Sequence, residues 1–121
     1  MDKLDYNEIF RDRTKKLAID IIIELSKLKY TDENSILKKQ IIRSATSVAA
    51  NYRAMCRARS NRERYAKMCI VVEEIDETVF WLELLEELKI LPIAKVNEFK
   101  KEADEILKAT SSYKKKLSKS L

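Results

Sequence analysis

The absence of glycine limits what this chain can fold into more than any other feature of its sequence. The 121 residues contain no glycine and a single proline, Pro92. Tight hairpin turns and phosphate-cradling loops both depend on glycine, because glycine alone enters the left-handed region of backbone space at little cost. The sequence therefore argues against hairpin-rich sheets and dinucleotide-binding folds, and it predicts an all-α protein.

Apolar residues recur at three- and four-residue spacing along four segments of similar length. The stripe predicted to face the core runs in the second segment through Leu37, Ile41, Ala45, Val48, Tyr52 and Met55, and in the third through Tyr65, Met68, Val72, Ile75, Val79 and Leu82. Helices are predicted over four ranges, about 5–30, 33–58, 60–90 and 93–117. Thr31 precedes the second segment as a capping residue, and Ser60 with Glu63 matches a capping box before the third. The basic tail, 114–121, lacks a wide apolar face and is expected to fray. Short connections predict one domain, 1–121, folded as an antiparallel up-down-up-down four-helix bundle.

The second and third helices carry more apolar surface than a bundle helix needs. Small residues lie on the second helix away from its core stripe, and aromatic and leucine residues extend nearly around the third. Surface of this kind marks contact with another protein, and small residues let a neighbour approach closely. The sequence predicts a homo-oligomer with an interface formed by Ala50, Ala54, Phe80, Trp81, Leu84, Leu85 and Leu88. The open alternative is that these residues cover the end of the bundle or pack under the first helix.

Charge is segregated along the chain. Lys38–Lys67 contains nine basic residues and one acid, Met68–Leu91 contains seven acids and one lysine, and Lys108–Leu121 contains five lysines and no acid. Arginine side chains suit phosphate because their forked donors make bidentate contacts. We predict contact with RNA or a ribonucleoprotein through Lys39, Arg43, Arg53, Arg57, Arg59, Arg62 and Arg64. Equally open is pairing of these side chains with the acidic third helix of the same or a neighbouring subunit, with a protein as the partner.

A polar contact between the second and third helices is predicted to fix their register. Asp76 lies near the core stripe of the third helix, and a buried carboxylate needs a partner. The candidates on the second helix are Gln40, Arg43 and Asn51.

The sequence gives little support for catalysis. The chain has no histidine, the only side chain that titrates near neutral pH without perturbation. The carboxylates between Glu73 and Glu77 lack the Glu-x-x-His pairs of a di-metal bundle, and two cysteines cannot complete a zinc site. We therefore expect a non-enzymatic protein with no metal site and no cofactor.

The cysteines and the hydropathy pattern bear on location. Cys56 and Cys69 lie within apolar helical patterns and suit buried thiols in a reducing compartment. No window approaches the roughly 18 apolar residues that a membrane-spanning helix needs. A cytoplasmic protein is expected.

Four motifs in this chain are similar to those of a known bacterial family. They are Gln40–Ala45, Ser47–Tyr52, Arg57–Ser60 and Asp76–Leu85. The chain resembles the four-helix-bundle family named after proteins encoded in intervening sequences of large-subunit ribosomal RNA genes. The resemblance implies a ring-shaped homopentamer that associates with structured RNA. A related branch comprises accessory proteins of diversity-generating retroelements, which implies a reverse transcriptase as another candidate partner.

One departure from the family pattern affects the second helix. Many members follow the asparagine with a Glu-Gly pair, whereas this chain reads Asn51-Tyr52-Arg53. Without the glycine, the helix is predicted to continue to about Arg57. Any function tied to the missing glutamate is not carried over to this chain.

Overall fold

Four long helices make up the computed structural model, which describes residues 3–121. They are α1 (Lys3–Leu25), α2 (Asp32–Cys56), α3 (Asn61–Glu87) and α4 (Ile93–Ser118). Each helix packs against the next, and α4 returns to α1 along the least extensive contact. No strand occurs among the described residues, so the predicted all-α four-helix bundle is confirmed. Met1 and Asp2, which the predicted domain includes, lie outside the described residues.

The predicted caps start α2 and α3. The Thr31 hydroxyl accepts a hydrogen bond from the Asn34 amide at 3.0 Å, and the Ser60 hydroxyl accepts one from the Glu63 amide at 3.1 Å. The Glu63 carboxylate reaches back to the amide of Arg59 rather than to that of Ser60, at 2.7 Å. The two hydroxyl contacts satisfy amides that the first helical turn leaves free, and the Glu63 contact satisfies an amide just before the cap.

Two helix ends fall short of the predicted bounds. α1 ends at Leu25 rather than near residue 30, and α3 ends at Glu87 rather than near residue 90. Lys89 adopts a left-handed conformation with φ of 57°, which stops α3 and lets the Ile90 amide donate to the Leu85 carbonyl. Pro92 stands immediately before the first residue of α4 and has extended ψ.

The C-terminal turns of α4 are helical and packed, which corrects the expectation of a frayed tail from residue 114. α4 continues to Ser118, and both Tyr113 and Leu117 are buried. The apolar stripe of α4 is narrow at this end of the bundle, but side chains of the neighbouring helices cover it. The Tyr113 ring, for example, lies 6.3 Å from the ring of Tyr6 on α1.

The bundle core contains the stripe predicted for α2 and a rotated version of the stripe predicted for α3. All six predicted core residues of α2 are buried: Leu37, Ile41, Ala45, Val48, Tyr52 and Met55. On α3, Val71 and Thr78 are buried where Val72 and Val79 were expected. Apolar residues lie almost all around α3, so periodicity alone did not fix its orientation.

Aromatic rings fill the core at the end of the bundle where α1 begins. Tyr6, Phe10, Tyr52 and Tyr113 form a chain of neighbouring rings from three helices. Tyr52 is fully buried, and its hydroxyl has no hydrogen-bond partner among the described residues. Burial also raises the pKa of Tyr52 above its ordinary value. A buried hydroxyl without a partner costs stability that a phenylalanine ring would not.

Replacing Tyr52 with phenylalanine is therefore expected to raise the free energy of unfolding by about 1 kcal/mol. The gain should grow above about pH 10, because there the unfolded wild-type chain loses the Tyr52 proton while the folded chain keeps it. Urea unfolding at pH 7 and pH 10.5 measures both effects. Tyr30→Phe is the matched control, because the Tyr30 side chain is 78 % exposed, and it should leave the free energy of unfolding unchanged at both pH values. A loss of stability in Tyr52→Phe would show that its hydroxyl is well satisfied.

Candidate nucleic-acid interface

The up-down topology gathers four chain segments at one end of the bundle. This end, called the basic end below, holds the start of α1, the end of α2, the start of α3 and the end of α4. Residues 3–14, 45–74 and 106–121 make up this half and carry a formal charge of +8. Residues 15–44 and 75–105 make up the other half and carry −2. The positive surplus of the described chain is thus confined to one half of the molecule.

Arg53 and Arg57 line an open groove between α1 and α2. The same groove is lined by Arg11 and Lys15 of α1, and its floor contains the small side chains of Ala49 and Ala50. Asp12 is the one acid among the lining residues. Four cations around a floor of small side chains can hold an anion close to the helix backbones. Their spacing of four residues, Arg11 to Lys15 and Arg53 to Arg57, puts each pair on one helix face.

Arg59 and Arg62 are exposed where the chain turns from α2 into α3. Their guanidinium groups make no ion pair with the described side chains, which begin at Tyr6. Arg64 is held differently, because it donates to the Ala58 carbonyl and to the Asn61 side chain, both at 3.1 Å. Arg64 therefore braces this connection, while Arg59 and Arg62 point their donors to solvent.

Lys39 and Arg43 lie apart from the other predicted phosphate-binding residues. Lys39 is 14 residues from Arg53, hence about 21 Å away along α2. Arg43 pairs across the groove between α2 and α3, with Glu74 at 3.1 Å and also with Glu77. The structure thus places these two residues outside the basic end, with Arg43 in contact with the acidic helix of its own chain.

Lysines of α4 join the arginines at the basic end. Lys115, Lys116 and Lys119 are exposed, and Lys114 is half-buried. Sequence reasoning set these residues aside as a fraying tail, and it left Arg11 and Lys15 out of the site altogether. The missed signal was topological: in an up-down bundle, the starts of α1 and α3 and the ends of α2 and α4 share one end.

Most of the predicted oligomer-interface residues are accessible on the surface of the chain. Phe80 and Leu88 are 48 % and 59 % exposed, Ala50 is exposed, and Ala54, Trp81 and Leu84 are half-buried. Leu85 is fully buried in the core, so its assignment to an interface is corrected. Trp81 packs edge-on against Phe80, with ring centroids 4.9 Å apart.

The predicted role of Asp76 in helix register is also corrected. Asp76 is exposed, whereas the hydroxyls of Ser44 and Thr78 form a buried hydrogen bond of 2.8 Å between α2 and α3. Asn51 donates to the Ser47 carbonyl and hydroxyl within α2, and Gln40 accepts a long hydrogen bond from Arg43. The hydrogen bonds of Gln40 and Asn51 thus go to other residues of α2 and not to Asp76.

The described residues offer few other chemical groups. No cluster of three or more histidine, cysteine, aspartate or glutamate side chains among them could hold a metal ion. Cys56 and Cys69 are free thiols, and burial raises the pKa of Cys56, which makes its thiolate scarce at neutral pH. None of the four helices is both long enough and apolar enough to cross a membrane.

Comparison with known proteins agrees with the helix order and the motifs. The model of the family described as 23S rRNA-intervening sequence protein matches residues 8–112. A crystal structure of a protein with unknown function from the S23 ribosomal protein family of Bacteroides thetaiotaomicron superposes with a TM-score of 0.81. It is 29 % identical, and the match covers 90 % of this chain and 97 % of that one. No curated protein matches the sequence. The match spans most of the chain, and the chain therefore belongs to the family of 23S rRNA-intervening sequence proteins.

Proposed function

We propose that this chain is a non-enzymatic, self-associating binding protein that contacts structured RNA or a ribonucleoprotein through the basic end of its bundle. The observation that carries the proposal is the confinement of the positive surplus to that end, +8 against −2 in the other half. Self-association into a ring-shaped homopentamer is the part of the proposal that rests on the family resemblance and on the exposed apolar side chains of α3.

Arginine is the suitable residue for this role because its planar fork binds two phosphate oxygens at once. Arg59 and Arg62 present such forks to solvent, and Arg53 and Arg57 line the neighbouring groove with Arg11 and Lys15. The lysines at the end of α4 add long-range attraction without that geometric demand. Two exposed arginines in a connection between rigid helices are positioned to meet a phosphate backbone at the surface.

Binding of the purified protein to a structured RNA across a salt series tests the proposal. Log affinity should fall linearly with log salt, by roughly 0.7 to 0.9 per phosphate contact. Arg59→Glu/Arg62→Glu should lose at least about tenfold in affinity and lower the salt slope by about 2. Lys29→Glu/Lys101→Glu is the matched control, because it makes the same charge change at exposed lysines in the other half. Equal losses in both variants, or no binding by the wild type at low salt, would contradict the proposal.

A protein partner, such as a reverse transcriptase, is the second candidate, with the arginines serving subunit contacts. Arg43 pairs with Glu74 and Glu77 of its own chain. That contact shows an arginine of α2 engaged with the acidic helix rather than free for phosphate. Arg53→Glu/Arg57→Glu separates the two candidates. Loss of RNA affinity with assembly intact assigns the groove to RNA, whereas dissociation to monomers assigns these arginines to subunit contacts.

A further inference from the structure

The end of the bundle opposite the basic end exposes large apolar side chains. The α1–α2 and α3–α4 connections both lie at this end, because the topology is up-down. Four of the most exposed large apolar side chains lie in these connections or in the helical turns next to them: Tyr30 at 78 %, Ile93 at 66 %, Ile36 at 62 % and Leu88 at 59 %. Exposed apolar groups gathered on one small surface mark contact with another protein.

The charges at this end are balanced. Residues 26–36 and 86–95 contain four basic and four acidic side chains, a formal charge of zero, and we call these residues the neutral end. The half of the chain that holds the basic end carries +8. Two copies that meet through their basic ends repel each other, whereas two neutral ends meet without that repulsion. The charge distribution therefore favours a second copy of this chain as the occupant of the neutral end.

The two connections have complementary shapes. Tyr30 lies in the α1–α2 connection, where its hydroxyl donates to the Asp32 carboxylate at 3.5 Å. An open hollow at the α3–α4 connection is lined by Glu86, Lys89, Ile90, Leu91, Pro92 and Ile93. Lys89, with its left-handed backbone, turns the chain out of α3 at this point. A tyrosine ring suits such a hollow, because its body is apolar while its hydroxyl keeps a polar partner.

Charge also decides which connection of one copy meets which connection of the other. Residues 26–31 carry two lysines and no acid, whereas residues 86–92 carry two acids and one lysine. An end-to-end contact that sets the α1–α2 connection on the partner's α3–α4 connection joins opposite charges. A contact that sets each connection on its own counterpart would bring the lysines together. The favoured arrangement is two-fold symmetric, so the same contact occurs twice.

We propose that two copies of this chain pack end to end through their neutral ends, with Tyr30 of each copy in the hollow of the other. The contact goes beyond the proposed function and does not depend on RNA binding. It leaves the sides of the bundle free, so it doubles whatever assembly the sides form. The basic ends then face away from each other, roughly 75 Å apart, because each bundle is about 25 residues long at 1.5 Å per residue.

A charged variant of the neutral end tests the contact by mass. Tyr30→Asp/Ile93→Asp puts acids on both parts of the contact, and both positions are exposed, so folding should survive and circular dichroism checks it. In native mass spectrometry and sedimentation across a concentration series, the assembled mass should fall to half that of the wild type. Ile9→Asp/Leu121→Asp, at exposed apolar side chains in the basic half, is the matched control and should keep the wild-type mass.

A cysteine cross-link tests which connections meet. Tyr30→Cys and Ile93→Cys, each in a chain that also carries Cys56→Ser and Cys69→Ser, have one thiol apiece. Mixing the two under mild oxidation should link one chain to the other, because a disulfide forms when the two Cα atoms come within about 7 Å. Faster linking of the Tyr30→Cys chain to itself would overturn the arrangement.

The same measurements separate the end contact from the proposed function. A monomeric wild type, or a mass that Tyr30→Asp/Ile93→Asp leaves unchanged, would overturn the end contact. A wild type that forms only a dimer, and falls to monomers in that variant, would contradict the proposed ring and support the end contact. Neither measurement uses RNA, so a failure to bind RNA would contradict the proposed function alone.

Discussion

Replacing Leu117 with alanine is expected to lower the free energy of unfolding by about 2 to 4 kcal/mol. The side chain is 4 % exposed and belongs to the hydrophobic core, although Lys116 precedes it and Lys119 lies two residues after it. Truncation removes buried methyl groups and leaves a cavity between α4 and its neighbours, and both effects destabilise the fold. Equilibrium unfolding in urea, followed by circular dichroism, measures the change.

Leu121→Ala is the matched control for this prediction. Leu121 is 61 % exposed, and truncation of an exposed side chain usually changes stability by less than about 0.5 kcal/mol. The comparison separates burial from a general effect of shortening leucine near this end. Equal, small effects in both variants would show that the last turns of α4 are not packed in solution and that the lysines there are not held at the basic end.

The misjudged tail shows what periodicity can and cannot predict. Tyr113 and Leu117 continue the three- and four-residue spacing of α4, so their place on the core stripe was predictable. Whether a helix end with such a narrow apolar stripe stays packed on the bundle depends on which side chains cover the stripe. Here Tyr6 and Phe10 of α1 and Tyr52 of α2 provide a cluster of aromatic rings at the same end. This cluster of rings depends on the order and packing of the helices, which the spacing of apolar residues alone does not predict.

The contrast between α2 and α3 makes the same point for the core. Every residue of the stripe predicted for α2 is buried, and the buried Ser44 lies beside it. α3 offers apolar residues in almost every direction, so a stripe through Val72 and Val79 fitted as well as the observed one through Val71 and Thr78. The rotation carries Leu85 into the core and leaves Asp76 in solvent. Both corrected assignments have this single cause.

For the candidate site, the sequence predicted that the arginines are exposed but left their partners open. Charged side chains at Arg53, Arg57 and Arg59 were predicted on the surface, and the structure places them there. Pairing of Arg43 with Glu74 and Glu77 depends on the relative register of α2 and α3, which the sequence does not fix. The contribution of Lys115 depends in turn on the helix order around the bundle.

The hydrogen bond between Ser44 and Thr78 is expected to couple α2 to α3, in the role that the sequence suggested for Asp76. Both hydroxyls are buried, 2.8 Å apart, and each also contacts a carbonyl of its own helix, Ile41 for Ser44 and Glu74 for Thr78. Ser44→Ala and Thr78→Val should each cost about 1 to 2 kcal/mol, because each leaves a buried hydroxyl with one partner fewer.

A double-mutant cycle isolates the contact itself. The double variant should lose less than the sum of the two single losses, by at least about 0.5 kcal/mol, because the second substitution removes the hydroxyl that the first one left short of a partner. Asp76→Leu serves as the control and should change stability by less than about 0.5 kcal/mol, since the Asp76 side chain is exposed. Strict additivity of the Ser44 and Thr78 losses would show that the hydroxyls act independently. A large loss of stability in Asp76→Leu would show instead that Asp76 makes the contact that fixes the register of α2 and α3.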